Sequence, residues 1–266
     1  RDQPRSRGLG DVYKRQILNY GNGVKIMITF SEISAAYDGD HQVISDLSFQ
    51  VEKPSIVGII GPNGAGKSTL IKAALKLIPS SGNMSVDKKA LKDFQKEIAY
   101  VEQKTAVDYT FPITVKEVVS LGLYPKMRMF QRLSANDWQK VTAALAAVEM
   151  ESFAERQIGE LSGGQFQRVL IARTLVQDAN YIFLDEPFVG IDATSEAIIV
   201  GLLRNLRDAG KTIFIVHHDL GKITEYFDFL VLLNQTLIAA GPVSEVFTES
   251  NLKQTFGDAI IVKGGV

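Results

Sequence analysis

The chain has 266 residues, 45% hydrophobic and 22% charged, with a formal net charge of -1 and no cysteine. Such a length suits one large domain, or one domain with an inserted lobe, and the composition is that of a folded globular chain rather than a disordered one. The near-neutral charge argues against a broad footprint for nucleic acid, and the missing cysteines exclude disulfides, thiolate metal sites and thiol nucleophiles.

No run approaches about 18 apolar residues, so no membrane-spanning helix is expected. Residues 1–24 open with RDQPRSRGLGDVYKRQ, a basic stretch punctuated by Gly and Pro and without apolar periodicity. They read as a disordered or non-native extension, and the first methionine, Met27, is the expected native start. Intact-mass measurement of the natively expressed protein checks this.

From Ile26 to Val51 apolar residues alternate at Ile26, Ile28, Phe30, Val43, Leu47, Phe49 and Val51, which predicts strands broken by the turn Asp38-Gly39-Asp40. Tyr37 stands just before that turn. An aromatic there can stack on a base, although a strand-end tyrosine is ordinarily packing.

Next comes Ile56-Val57-Gly58-Ile59-Ile60, a buried strand by length and β-branching, followed by GPNGAGKST over Gly61–Thr69. Leu70, Ile71, Ala74, Leu75 and Ile78 then share a helical face, which predicts a helix running to Ile78. The strand-loop-helix context gives the glycine-rich motif its meaning. Its glycines let successive backbone N–H groups point at phosphate oxygens, beside the positive end of a helix. Lys67 reaches the β- and γ-phosphates and Ser68 offers a hydroxyl to Mg²⁺. This is a nucleotide phosphate site.

Pro79-Ser80-Ser81-Gly82-Asn83 reads as a loop and Ser85-Val86-Asp87 as a short strand. Ile98 to Gln103 reads as a strand ending in polar residues. Residues from about 105 to 160 change character, with helices and no strands, as an inserted lobe would have. Thr114 and Glu117 form a capping-box signature, and Asn136 to Met150 an alanine-rich amphipathic helix.

Leu161-Ser162-Gly163-Gly164-Gln165 precedes a helical apolar pattern at Val169, Leu170, Ala172 and Leu175. That places Ser162 at a helix N-terminus, where N–H groups receive an anion; an ordinary serine cap with a flexible lead-in reads the same five residues equally well. Tyr181-Ile182-Phe183-Leu184 is an apolar strand that ends in Asp185 and Glu186. Carboxyl ends of parallel strands face the ligand crevice, so Asp185 is a Mg²⁺ holder and Glu186 a candidate general base. Glu196 to Ala209 predicts a helix ending at Gly210. Lys211 to Val216 predicts a buried strand leading into His217-His218-Asp219. Neighbours on a strand point to opposite faces, so the two histidines do not share a metal. One of them is placed to bond a γ-phosphate, and a structural histidine is the equal alternative. Leu230–Leu233 and Leu237–Ala240 flank Asn234-Gln235 as a hairpin, and short helices follow from Val243 and Asn251.

Together these motifs resemble the ATP-binding cassette of ABC transporters from about Ile26 to Ile260. The resemblance implies an α/β P-loop NTPase fold with a mostly parallel sheet core, an N-terminal antiparallel β subdomain and the inserted helical subdomain. Residues 25–260 would form that domain and 261–266 a tail. It implies roles residue by residue. Tyr37 would stack on the base. Gly61, Pro62, Asn63, Gly64, Ala65, Gly66, Lys67, Ser68 and Thr69 would hold the nucleotide. Ser68, Gln103 and Asp185 would meet Mg²⁺. Glu186 would be the base, His218 the γ-phosphate switch, and Lys67 and Gln103 would join them in catalysis. Ser162, Gly163, Gly164 and Gln165 would grip a γ-phosphate bound to a second subunit, and Asp192 would lie at the subunit contact.

FPITV at Phe111–Val115, EPFVGID at Glu186–Asp192 and VHHDL at Val216–Leu220 resemble the manganese and zinc importer branch. So do Tyr226-Phe227-Asp228 and Gly241-Pro242. Phe166 departs from many cassettes, which carry a polar residue there. The branch implies a peripheral ATPase on the cytoplasmic face of the membrane. Its partners would be an identical second cassette, permease subunits and, indirectly, an extracytoplasmic metal-binding protein. The branch implies manganese as cargo first, with zinc or iron next, and a cassette for uptake of an iron-siderophore or other metal chelate is the nearest alternative. A soluble ABC ATPase of DNA repair or translation would need long coiled-coil insertions or a second cassette in the chain. A P-loop kinase or GTPase would leave LSGGQ and the histidine without a role.

Overall fold

The computed structural model describes residues 26–37, 41–103, 111–128 and 130–257. The N-terminal extension, the turn Asp38-Gly39-Asp40, the residues following Gln103 up to 110 and the tail from 258 lie outside the described residues. The chain divides into two compact units, one of Val24–Gln103, Tyr181–Pro187 and Thr212–Val266, the other including Lys104–Asn180 and Phe188–Lys211.

The first unit holds all the named strands. They are β1 (Ile28–Tyr37), β2 (His41–Val51), β3 (Ile56–Ile60), β4 (Ser81–Val86) and β5 (Lys89–Ala90). Then come β6 (Ile98–Val101), β7 (Tyr181–Asp185), β8 (Thr212–His217), β9 (Phe229–Asn234) and β10 (Thr236–Pro242). They form a four-stranded sheet in the order β2-β1-β4-β5 and a six-stranded sheet in the order β10-β9-β3-β8-β7-β6. The first is antiparallel. In the second every pairing is parallel except that of β9 with β10. Every residue of β3, β7 and β8 is buried, which is why these stretches read as unbroken apolar runs instead of alternating ones. The two sheets share one core. Phe30 stacks on Phe49 at 4.3 Å and meets Phe214 edge-on at 5.4 Å, and Phe214 stacks on Phe183 at 4.7 Å.

Two local expectations fail here. Ser81–Asn83 reads as loop but belongs to β4, because Ser31 and Ser34 of β1 pair with Asn83 and Ser81. A polar strand held by its ladder leaves no hydrophobic signal. The helix after the phosphate loop, α1 (Lys67–Ala74), also stops short of Ile78. Lys76 takes a left-handed φ of 58°, with its N–H bonded to Ala73 and that of Leu77 to Lys72. That is a Schellman ending built on lysine instead of glycine, so its usual mark is missing from the sequence. A short helix, α2 (Leu91–Phe94), precedes β6.

The second unit is built from α3 (Val115–Ser120), α4 (Ala135–Ala147), α5 (Gly163–Gln177) and α6 (Ala193–Asp208). The cap at Thr114 forms as read, its N–H and hydroxyl both donating to Glu117 Oε2 at 2.8 and 2.6 Å. Ser134 caps α4 with Asp137 in the same way. Helix α5 packs on α3 and α4. Phe166, the departure noted in the sequence, is 1% exposed. The strand unit closes with α7 (Ile223–Tyr226), α8 (Val243–Val246) and α9 (Glu249–Phe256). Among the described residues no helix is long and apolar enough to cross a membrane.

Candidate nucleotide site

Strand β3 ends at Ile60, and the chain then turns through the glycine-rich loop into α1. A side chain on Gly61 would run into the Leu233 carbonyl of β9, so only glycine lets the loop start this close to the sheet. Gly66 has φ of 92°, a left-handed value that aims the first N–H groups of α1 back into the loop. The β9–β10 hairpin braces the loop from outside. Gln235, itself left-handed, donates its N–H to Ala65 O at 2.9 Å and accepts from Ser45 N–H at 3.0 Å. Sequence reading saw Gln235 only as a turn residue. Nothing marks a brace made by backbone atoms.

Lys67 is buried and its Nζ donates to the carbonyls of Gly61 at 2.9 Å and Pro62 at 2.8 Å. Burial pushes its pKa below the ordinary lysine value, while Glu186 and Asp185 pull the other way. The ammonium thus points into the bend of its own loop, where phosphate oxygens can replace carbonyl oxygens as partners.

Ser68 donates its hydroxyl to Asp185 Oδ1 at 2.8 Å. Burial raises the Asp185 pKa, the Ser68 bond opposes this, and Glu186 raises it further; Lys72 lowers it and Glu102 raises it. A hydroxyl and a carboxylate this close form a hard-oxygen pair of the kind Mg²⁺ prefers, and a cation there would relieve the burial that holds Asp185 up. The donor set therefore fits a Mg²⁺ ion. Glu186, next in the chain, has φ of 50°. A left-handed glutamate costs about 1–3 kcal/mol, and such strain concentrates at functional positions. Its Oε2 accepts a hydrogen bond from Gln103 Nε2 at 2.7 Å. The structure thus brings Lys67, Ser68, Gln103, Asp185 and Glu186 together at one end of the parallel sheet.

The two histidines differ in burial, though their ring centroids lie 5.8 Å apart. His217 is 5% exposed, with Phe227 at 5.6 Å and Tyr226 at 6.3 Å between ring centroids, while His218 is exposed just beyond the strand. Tyr37 lies at the end of β1, and its side chain lies outside the described residues.

In the helical unit, Ser162 is the N-cap of α5 and accepts from Gln165 N–H at 3.3 Å. Gln165 Oε1 returns to accept from Ser162 N–H at 2.9 Å, so its side chain closes a capping box. Gly163 and Gly164 form the first turn, with Gly164 buried. Asp192 caps α6, its Oδ1 accepting from Ser195 N–H at 2.9 Å and its Oδ2 from the Ser195 hydroxyl at 2.8 Å. A Cβ on Gly164 would lie 2.5 Å from Asp192 Oδ2 and 2.6 Å from Ser195 Oγ. Ser195 did not stand out in the sequence, because serine in a first helical turn is unremarkable.

A family profile described as "ABC transporter" matches residues 44–189. The chain is 52% identical over 217 residues to the manganese transport system ATP-binding protein MntB of Listeria innocua, covering 81% of this chain and 90% of that one. It is 45% identical over 219 residues to the zinc transport system ATP-binding protein TroB of Treponema pallidum, covering 82% of each. Among solved structures, a nucleotide-free ATP-binding cassette from an ABC transporter superposes with a TM-score of 0.72 at 24% identity, covering 90% of this chain and 98% of that one.

Proposed function

The chain belongs to the ABC transporter ATP-binding family, and on that premise we propose that it powers a bacterial importer of a divalent transition metal, manganese foremost. The observation that carries the ATPase reading is the cluster at the sheet end, where Ser68 meets Asp185 at 2.8 Å and Gln103 meets Glu186 at 2.7 Å. The 52% identity to a protein named for manganese transport supports the cargo, and the zinc-named relative supports the wider metal class.

In this reading the loop from Gly61 to Thr69 and the N-terminus of α1 hold the triphosphate, and Tyr37 stacks on the base. Lys67 exchanges its loop carbonyls for β- and γ-phosphate oxygens. Ser68, Asp185 and Gln103 would hold Mg²⁺, which neutralises charge developing on the phosphates. Glu186 takes the proton of the attacking water, and His218 bonds the γ-phosphate. The cassette sits peripherally on permease subunits at the cytoplasmic face, fed from outside by a metal-binding protein. Nucleotide draws two cassettes together and hydrolysis lets them part.

Among the described residues no group of three His, Cys, Asp or Glu side chains is arranged to hold a metal ion. We place the metal preference in the membrane and binding subunits, because the chain has no cysteine and only three histidines, two of them adjacent.

Each active site is completed by a second chain. One chain offers two anion-receiving helix ends, at α1 and at Ser162, in separate compact units. One nucleotide has one γ-phosphate, so a two-fold pair in which each Ser162 serves the partner's loop uses both ends. Covalently linked dimers carrying Lys67→Ala and Ser162→Arg decide the matter. With shared sites, both changes in one half spoil both sites, whereas splitting them between halves leaves one site intact. Greater ATPase activity in the same-half arrangement would overturn the shared site.

A further inference from the structure

The Lys72–Glu102 ion pair sits beside the catalytic cluster without belonging to any motif. Lys72 Nζ and Glu102 Oε1 are 2.5 Å apart. Lys72 stands four residues after Ser68 on α1, and therefore on the same helical face. Glu102 immediately precedes Gln103, whose amide donates to Glu186 Oε2 at 2.7 Å.

The position of Glu102 gives this contact its interest. Among the described residues, strand β6 is the last in its sheet and pairs with β7 alone, through rungs that end at Val101 opposite Leu184. Glu102 and Gln103 extend past the last rung of that ladder among the described residues. Gln103 must still deliver its amide to one oxygen of Glu186, a matter of a few tenths of an ångström. A salt bridge one residue upstream, anchored on the helix that carries Ser68, supplies a restraint.

We propose that Lys72 and Glu102 are positioning residues for ATP hydrolysis: their ion pair fixes the end of β6 to the phosphate-loop helix and thereby sets the Gln103 amide against Glu186. The inference rests on the catalytic roles of Gln103 and Glu186. Partly exposed pairs such as this one, with side chains 28% and 43% accessible, usually contribute little to stability. The predicted effect is therefore on turnover, with the melting temperature nearly unchanged.

The test is a kinetic cycle on the full chain, with nucleotide affinity read separately by a fluorescent ATP analogue. Glu102→Gln and Lys72→Met should each lower kcat by about threefold to tenfold, as loss of one coupled contact does, with ATP affinity within about twofold. The exchange Lys72→Glu with Glu102→Lys should recover most of that loss, which damage to folding would not permit. In a Gln103→Ala background, removing the pair should cost nothing more, since its effect passes through that amide. Single variants with normal kcat, a loss appearing only in affinity, or an exchange worse than both singles would overturn the proposal. So would additive losses beside a Gln103→Ala change that is itself harmful, and that result would leave the catalytic roles standing. A harmless Gln103→Ala would remove the underlying role of Gln103 and this inference with it.

Discussion

Replacing Glu186 with glutamine separates nucleotide binding from hydrolysis. The two side chains are isosteric, and the introduced amide can present its carbonyl oxygen to the same Gln103 Nε2 that now donates to Glu186 at 2.7 Å. The bond then loses its charge assistance, a change of about 1 kcal/mol against a typical stability of about 5–15 kcal/mol. The left-handed φ of 50° is equally awkward for both residues, so no new backbone strain enters. Only the proton acceptor is lost. Removing a general base costs about 10²–10⁴-fold in rate, or about 2.7–5.4 kcal/mol of barrier. Phosphate release should therefore nearly vanish while ATP binding persists, and size-exclusion chromatography with ATP should show a lasting dimer. Near-normal hydrolysis would refute the assignment. Glu186→Gly makes the complementary case: it relieves the left-handed strain, so the protein should gain about 1 kcal/mol in denaturant unfolding while losing turnover. A less stable glycine variant would show that the strain has been misjudged.

Gly61→Ala should weaken ATP binding by at least about tenfold, because the added methyl meets the Leu233 carbonyl and must push the loop off the sheet; equilibrium nucleotide binding measures it. Phe166→Ala, at a side chain 1% exposed, should cost about 3–5 kcal/mol in chemical denaturation. Titrating Mn²⁺ or Zn²⁺ into nucleotide-free protein should give only weak binding, and a stoichiometric submicromolar site by calorimetry would contradict the placement of cargo recognition elsewhere.

Much of the sheet was legible because its central strands are buried on both faces. Ile56–Ile60, Tyr181–Asp185 and Thr212–His217 read as apolar runs for that reason. The Thr114 cap was legible because a capping box is local chemistry, complete within four residues. What escaped was either long-range pairing or a local ending without its usual residue. Ser81–Asn83 became strand through pairing with β1, and Lys76 ended α1 without the glycine that ordinarily marks such an ending. Within the candidate site, the motif residues announced themselves by type and spacing. Lys72 and Glu102, thirty residues apart, did not, since their meeting depends on how α1 lies against β6. Gln235 acts through backbone atoms and no side-chain pattern can report it. Phe166 stood out in the sequence as a departure, and burial supplies its reason.

The register of the parallel strands is itself part of the site. Ile60 lies opposite His217, Asp185 opposite Val216, and Val101 opposite Leu184. Each strand therefore runs out at nearly the same level, and the residues just beyond are Gly61, His218, Glu186 and Glu102-Gln103. Side chains alternate faces along a strand, so a slip of one residue would turn Asp185 away from Ser68 and carry Glu186 from Gln103. Such slips are opposed by the core rather than by the site. Phe183 on β7 and Phe214 on β8 are directly opposed in the ladder and stacked with 6° between their planes. Shifting either strand by one residue would move one ring to the other face of the sheet and set an aliphatic neighbour in its place, Ile182 or Leu184 on β7, Ile213 or Ile215 on β8. Losing the stacked pair costs about 0.5–1.5 kcal/mol beyond the area it buries, and the misfit of the exchanged side chains adds to that. Packing two residues deep in the sheet thus holds the Asp185–Ser68 and Glu186–Gln103 contacts in place, though neither ring touches a phosphate.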